Sequence, residues 1–222
     1  MVSTVLAHGI ALLLHAEDIL GAPLIVHAAA SLYRIVVGFL VGSLLGVAIA
    51  LAMGAVTIIH RFLDPIVNFF RFIPPIAWIS PFLIWFGIGE LSKIALITYT
   101  VMFMVLLNTL AGIFAVHKSK LMAGHCLGAN RLQIYCWIGI PATVRYMLDG
   151  MRIAISNAFT TIVAAEMIAA QVGLGHLILV SRNFGATDII FLAMIVLGVL
   201  GFLVDQLFVY LVHRCAGRFY LG

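Results

Sequence analysis

Few residues of this chain can do chemistry, and most of those sit inside apolar runs. Asn108 lies within residues 94–116, while Asn157, Thr160 and Glu166 lie within residues 153–170, with Arg182 a short way beyond. A carboxylate or amide in hydrocarbon is costly unless it is paired or faces water. Such a residue therefore marks a solute path, a gate, or a bond to a neighbouring helix. Glu166 either lines a path or pairs with Arg182 near one end of its run. Asn108, Asn157 and Thr160 are candidates for the same path. Catalysis is not indicated. No paired carboxylates share a helix face, and there is no His-Glu-x-x-His, no Gly-x-x-x-x-Gly-Lys phosphate loop and no nucleophile elbow. Neither a catalytic residue nor a cofactor-binding residue is expected. His8, His15 and His27 are scattered without carboxylate or cysteine partners, and Cys126, Cys136 and Cys215 lack ligand spacing, so no metal site is expected. The cysteines read as small apolar residues. The arginines are too dispersed for a nucleic-acid face.

The apolar runs define what must position these groups. The chain of 222 residues is 64% hydrophobic and 9% charged, against about 25% charged in average soluble proteins. Runs of about 20 apolar residues without strand-like alternation specify helices that cross a bilayer. The expected fold is all-α and polytopic, with spans at residues 35–59, 72–88, 94–116, 153–170 and 189–212. Gly38, Gly42, Gly46, Ala50 and Gly54 recur every fourth residue and line one face of the first span. A smooth face of that kind lets a second helix approach closely in lipid. Residues 60–71 read as a short polar connection and residues 89–93 as a tight turn. Pro74, Pro75 and Pro81 break the second span, which is tolerated at membrane depth only where protein or a water-filled path covers the freed backbone groups. Residues 1–30 read as an outer-face or interfacial segment, because their run 5–14 is too short to span and lacks a basic start. Residues 31–222 form one membrane domain with a loop at 117–146.

That loop is the polar centre of the chain. Residues 118–141 carry Lys118, Lys120, His125 and Arg131, too much charge to cross a bilayer. Ser119 is expected to cap a short helix that Gly128 ends in the left-handed conformation, and Asn130 to cap a second one stopped by Pro141. Of the twelve Lys and Arg, Arg61, Arg71, Lys118, Lys120, Arg131, Arg145, Arg152, Arg214 and Arg218 are assigned to one side. Arg34, Lys93 and Arg182 go to the other. The excess of positive charge puts the loop and the C-terminus in the cytoplasm.

The stretch Ser119, Lys120, Leu121, Met122, Ala123, Gly124, with Leu127, Gly128, Ala129 and Pro141, resembles the cytoplasmic loop of permease subunits of bacterial ATP-binding-cassette importers. The family motif reads Glu-Ala-Ala, then Gly, then a hydrophobic residue and Pro. Here Met122 stands for the Glu and Gly124 for an Ala, while Gly128 and Pro141 match. The block from Ile73 to Ile94, with two Pro, two Trp and Gly-x-Gly-Glu-x-Ser-Lys, is similar to the branch that imports nitrate, sulfonates and taurine, as are residues 173–178 and Arg182-Asn183.

The resemblance implies a coupling helix pair that docks on the ATPase, and it implies partners. These are two ATP-binding-cassette ATPase subunits carrying ATP and Mg, a second copy of this chain, and a periplasmic or lipid-anchored substrate-binding protein, all at the bacterial inner membrane. No nucleic acid is expected. The resemblance leads us to expect that the family's usual first spanning helix is missing from this sequence, either as a short version of the family or through a start at a late codon. A carboxylate near a helix N-terminus contributes about 0.3–1 kcal/mol, so coupling is expected to survive Met122. From a different class, a non-transporting scaffold or an uncoupled, drifted subunit would tolerate bulk at Gly128, whereas a working loop would not.

Overall fold

The computed structural model describes residues 23–220, with side chains described as far as Arg214. The apolar run 5–14, His8, His15 and the side chains of Cys215 and Arg218 lie outside what is described. Among the described residues every regular element is helical. They are α1 (Leu24–Ala55), α2 (Thr57–Phe70), a 3-10 turn (Pro75–Trp78), α3 (Ile79–Phe86), α4 (Glu90–Phe114), α5 (Lys118–Cys126), α6 (Arg131–Ile134), a π turn (Tyr135–Gly139), α7 (Ile140–Ala169), α8 (Leu174–Asn183) and α9 (Thr187–Tyr220). Among the described residues four stretches are long and apolar enough to cross a membrane, and α2 with Pro75–Phe86, bent by 92°, makes a fifth as a broken span.

The glycine stripe sets the architecture. A Cβ added at Gly38 would lie 2.7 Å from Ile97 Cβ, one at Gly42 2.7 Å from the Thr98 carbonyl oxygen, and one at Gly46 2.7 Å from the Met102 carbonyl oxygen. The two sets of numbers climb together, so α1 and α4 run parallel, and each missing side chain lets α4 backbone come close. Parallel neighbours need a connection that returns across the membrane, and the broken span supplies it. Helix α7 then packs antiparallel on α4: a Cβ on Gly112 would strike Tyr146 and Thr143, and one on Gly150 would strike Asn108. Between the three helices lies a core containing Ile35, Ile97, Val101, Val105, Ala154, Ala158 and Ile162.

Four expectations are corrected. Residues 60–71 are not a connection; most of them belong to α2, whose His60, Arg61, Asp64 and Asn68 fall at helical spacing. The loop is a break at Val56, in extended backbone. Arg71 therefore does not sit beside Arg61 at the end of a span. Tyr99 donates its hydroxyl to the Phe70 carbonyl oxygen at 2.8 Å, which puts this point well inside α4. Residues 89–93 are not all turn, since α4 begins at Glu90. Pro141 does not stop a helix: it lies in the first turn of α7, where a missing N–H is tolerated. The π turn before it has already shifted the hydrogen-bond register. As a result α6, the π turn and α7 form one continuous run, Arg131–Ala169. The boundary drawn after residue 30 falls inside α1.

Close approach of α1 and α4 can be tested with the smallest substitution available. Gly42→Ala should destabilise the protein by about 1–3 kcal/mol through overpacking. Gly198→Ala has no heavy atom within 4 Å of its added carbon and should lose nothing. Thermal unfolding in mild detergent reads both, and equal midpoints for the two variants would refute the tight α1–α4 contact.

Candidate functional site

The candidate residues fall into three groups, at the two ends of the bundle and at its middle. At one end stands Glu166, fully buried in the last turns of α7. Its partner is not Arg182, which is exposed on α8. Arg34 of α1 donates to Glu166 Oε1 at 2.6 Å and to the Val172 carbonyl at 2.7 Å. The Ser31 hydroxyl donates to the same carboxylate at 2.8 Å, and the Gly175 N–H donates to its Oε2 at 2.9 Å. Arg34 also forks onto Glu90, with Nη2 at 2.8 Å from Oε1. Lys93 adds a bond to Glu90 Oε1 at 3.1 Å. Gly173 closes the cluster. Its N–H donates to His27 Nδ1 at 3.0 Å. Its φ of +147° and the carboxylate against it leave no room for a side chain.

These bonds make sense only together. A buried carboxylate must be met by a cation and by further donors, or it destabilises the fold. Here the donors come from α1 and the start of α8. Arg34 went unassigned to Glu166 in the sequence reading, although His27, Ser31 and Arg34 fall three and four residues apart on one face of a helix. The spacing was legible, but the partner depended on α1 and α7 meeting in space.

At the opposite end lies the polar loop. His117, not Ser119, precedes α5, and no side chain caps the helix. The Ser119 hydroxyl is 2.8 Å from His117 Nδ1, because a residue within the first turn cannot reach back to cap it. Gly128 ends the helix as expected, with φ +79°, and the Ala129 N–H donates to the Gly124 carbonyl at 3.1 Å. Asn130 caps α6 in a capping box: the Gln133 N–H donates to Asn130 Oδ1 at 2.8 Å, and the Asn130 N–H donates to Gln133 Oε1 at 2.9 Å. A Cβ on Gly124 would come within 2.9 Å of Ile138 Cδ1, so this glycine lets α5 lie against the π turn. Met122, the fifth residue of α5, is past the first turn and exposed; a carboxylate there would cap nothing. Leu127 (88% exposed) and Trp137 (81% exposed) flank an open groove of about 520 Å³ that includes Gly124, Gly128 and Ile134. Lys120, Leu121 and Ala123 complete the helix. The loop is tied to the bundle by Tyr135, whose hydroxyl donates to the Leu51 carbonyl at 2.6 Å.

In the middle, Asn157 and Thr160 line one cleft with Thr100, Thr161 and Met104. Asn108 is turned elsewhere, packed under Gly150 with Nδ2 donating to the Met104 carbonyl at 2.8 Å.

The sequence and fold have clear relatives. Residues 38–217 match the family model of the binding-protein-dependent transport system inner membrane component. The chain is 36% identical over 189 residues to the taurine transport system permease protein TauC of Escherichia coli, covering 85% of this chain and 69% of that protein. It is 33% identical over 198 residues to the putative aliphatic sulfonates transport permease protein SsuC of Bacillus subtilis, covering 89% and 71%. It is 32% identical over 186 residues to the nitrate import permease protein NrtB of Leptolyngbya laminosa, covering 84% and 67%. The fold matches a chain of the MetNI methionine ABC transporter with a TM-score of 0.72 at 17% identity, covering 86% of this chain and 95% of that one.

Because the Glu166 cluster ties several elements together, removing the carboxylate should be severe. Glu166→Ala is expected to destabilise by about 3–5 kcal/mol, since Arg34 is left buried with one of its two carboxylates and the Ser31 hydroxyl and Gly175 N–H lose their acceptor. Glu166→Gln, which keeps the side chain's shape and one of its two acceptor oxygens, should lose less. Unfolding midpoints of the purified variants check the order; a Glu166→Ala variant as stable as the parent would overturn the assignment.

Proposed function

The chain belongs to the binding-protein-dependent transport system inner membrane component family, and on that premise we propose that it is the translocating subunit of an ATP-driven importer of small organic or inorganic anions. Taurine, sulfonate and nitrate import in the similar proteins supports that substrate class. Two copies of the chain form the pathway. Two ATPase subunits, carrying ATP and Mg, dock beneath on the loop between α4 and α7. A soluble binding protein delivers solute at the Glu166 end. The loop end and the C-terminus lie in the cytoplasm, and the chain itself hydrolyses nothing.

The observation that carries this reading is the loop. Its helices are polar enough to stay in water, yet they present Leu127 and Trp137 as exposed large apolar side chains flanking a groove. Apolar surface rimmed by charge outside a membrane fits a protein partner. The capping box and the π turn join that surface rigidly to α7, so a partner that prefers one loop position biases the whole span. A partner shifts the two transport states only by its difference in affinity for them, and α7 brings that difference to the middle of the bundle.

Mild-detergent purification of the tagged chain from its native membrane should bring down an ATP-binding subunit. Gly128→Val forces a branched residue into left-handed backbone at a cost of about 1–2 kcal/mol and should lower ATPase recovery about tenfold. Met122→Glu should leave recovery within about threefold, because the site is exposed. Recovery of the chain alone, even after cross-linking, would refute the importer reading and favour a membrane scaffold.

A further inference from the structure

Arg71 occupies an unusual place. It follows α2 at the 92° break of the second span, and it borders a cleft of about 200 Å³ with Tyr99, Thr100, Phe103 and Leu107. Those α4 residues are the middle of a helix that runs Glu90–Phe114. Phe103 is ten residues from Lys93, about 15 Å along the helix, so Arg71 lies near mid-membrane rather than at either water face. Its side chain is exposed. Among the described residues it has no carboxylate partner, and its guanidinium lies 4.9 Å from the ring centre of Phe72. An exposed, unpaired cation at that depth does not face lipid; such residues line water-filled paths.

The surroundings are chemically one-sided. The Arg71 cleft shares Pro75, Thr100 and Met104 with a second cleft of about 250 Å³ lined by Asn157 and Thr160, so the two are continuous. Among the residues lining both, Arg71 carries the only charge. The nearby polar groups have spent donors on their own helices. The Thr160 hydroxyl donates to the Ser156 carbonyl at 3.2 Å, Thr100 to the Leu96 carbonyl at 3.0 Å, and Asn157 Nδ2 to the Ile153 carbonyl at 3.0 Å. Of these groups only Asn157 keeps a second N–H, and the one charged donor set for an anion is the Arg71 fork.

We propose that Arg71 is a mid-membrane anion-binding site on the translocation path, holding the sulfonate or nitrate group of the passing solute in a bidentate contact while the clefts toward Thr160 take the rest of the molecule. This deepens the importer reading and rests on it for the direction of transport. Arg71 ends α2 in helical backbone, and the 92° bend follows it, so no further turn of that helix covers the guanidinium. The Phe72 ring and the bend hold the guanidinium without neutralising it, which leaves its charge free for a solute that must bind and leave.

The test uses the full-length chain in its native membrane, with Cys126, Cys136 and Cys215 changed to Ser and Thr160→Cys added as reporter. Its labelling rates with a sulfonatoethyl and an aminoethyl methanethiosulfonate are compared, each corrected for reaction with free cysteine. A focused positive site should favour the anionic reagent, and Arg71→Gln should lower the anion-to-cation ratio about tenfold. Arg71→Lys should keep most of that ratio. An unchanged ratio in Arg71→Gln, or no reaction with either charged reagent, would overturn the proposal. Proteoliposome uptake of taurine by the complex co-purified with its ATPase adds the functional readout. Arg71→Gln should cut uptake about tenfold with ATPase recovery unchanged, whereas wild-type uptake by that variant would overturn the site. Loss of ATPase recovery from the parent chain would sink the importer reading alone and leave the labelling result to decide on Arg71.

Discussion

The structure depends on one buried charge. Glu166 has no access to water, so the fold must supply its donors before it can close. Ser31 and Arg34 bring α1 to α7, the Gly175 N–H brings the start of α8, and Glu90 with Lys93 adds the start of α4. A carboxylate of this kind is weak evidence for stability, because desolvation offsets much of its Coulomb attraction. What it fixes is register. Each donor reaches only if its helix is at the right height and rotation, and a slip of one turn would leave an ion unpaired in a low dielectric.

The rest of the bundle follows from that fixed end. With α1 and α4 parallel and pinned at their starts, the glycine stripe holds their backbones together toward the other face. Dispersion between close backbones does the holding, since lipid offers no hydrophobic gain. A parallel pair also requires a return across the membrane in the short stretch between them. The return is not straight: the prolines at 74 and 75 bend it at half depth by 92°. The break lies next to Arg71, which ends α2 beside the cleft.

How much of this was legible in the sequence depended on whether the cause was local. The all-α membrane fold, the proline break, the close-approach glycines, the left-handed Gly128 and the capping by Asn130 were all readable, because each is set by residues within a few positions. The partner of Glu166 was not, since Arg34 is 132 residues away. Helix α2 was misread because its charges suggested a connection, although His60, Asp64 and Asn68 already stood at helical spacing. Pro141 was misread as a stop because the π turn that accommodates it leaves no mark on hydrophobic pattern. Arg71 was assigned to a water face by charge counting, which sees how many cations flank a run but not whether the run is broken.

The same geometry says where motion belongs. Helix α7 carries the loop at one end, Asn157, Thr160 and Thr161 along the cleft, and Glu166 at the other. Its 30 residues span about 45 Å, so a rigid tilt is largest at whichever end is free. The Glu166 end is not free, because moving it by even one bond length would strand a buried carboxylate and its arginine. The loop end is held by contacts nearer the surface, the Tyr135 hydroxyl on Leu51 and, farther along α7, the half-exposed Arg152–Asp205 pair, which are easier to remake than a fully buried one. The Glu166 end is therefore the one fixed by a buried charge, and the cleft of Asn157, Thr160 and Thr161 lies between it and the loop on a single helix.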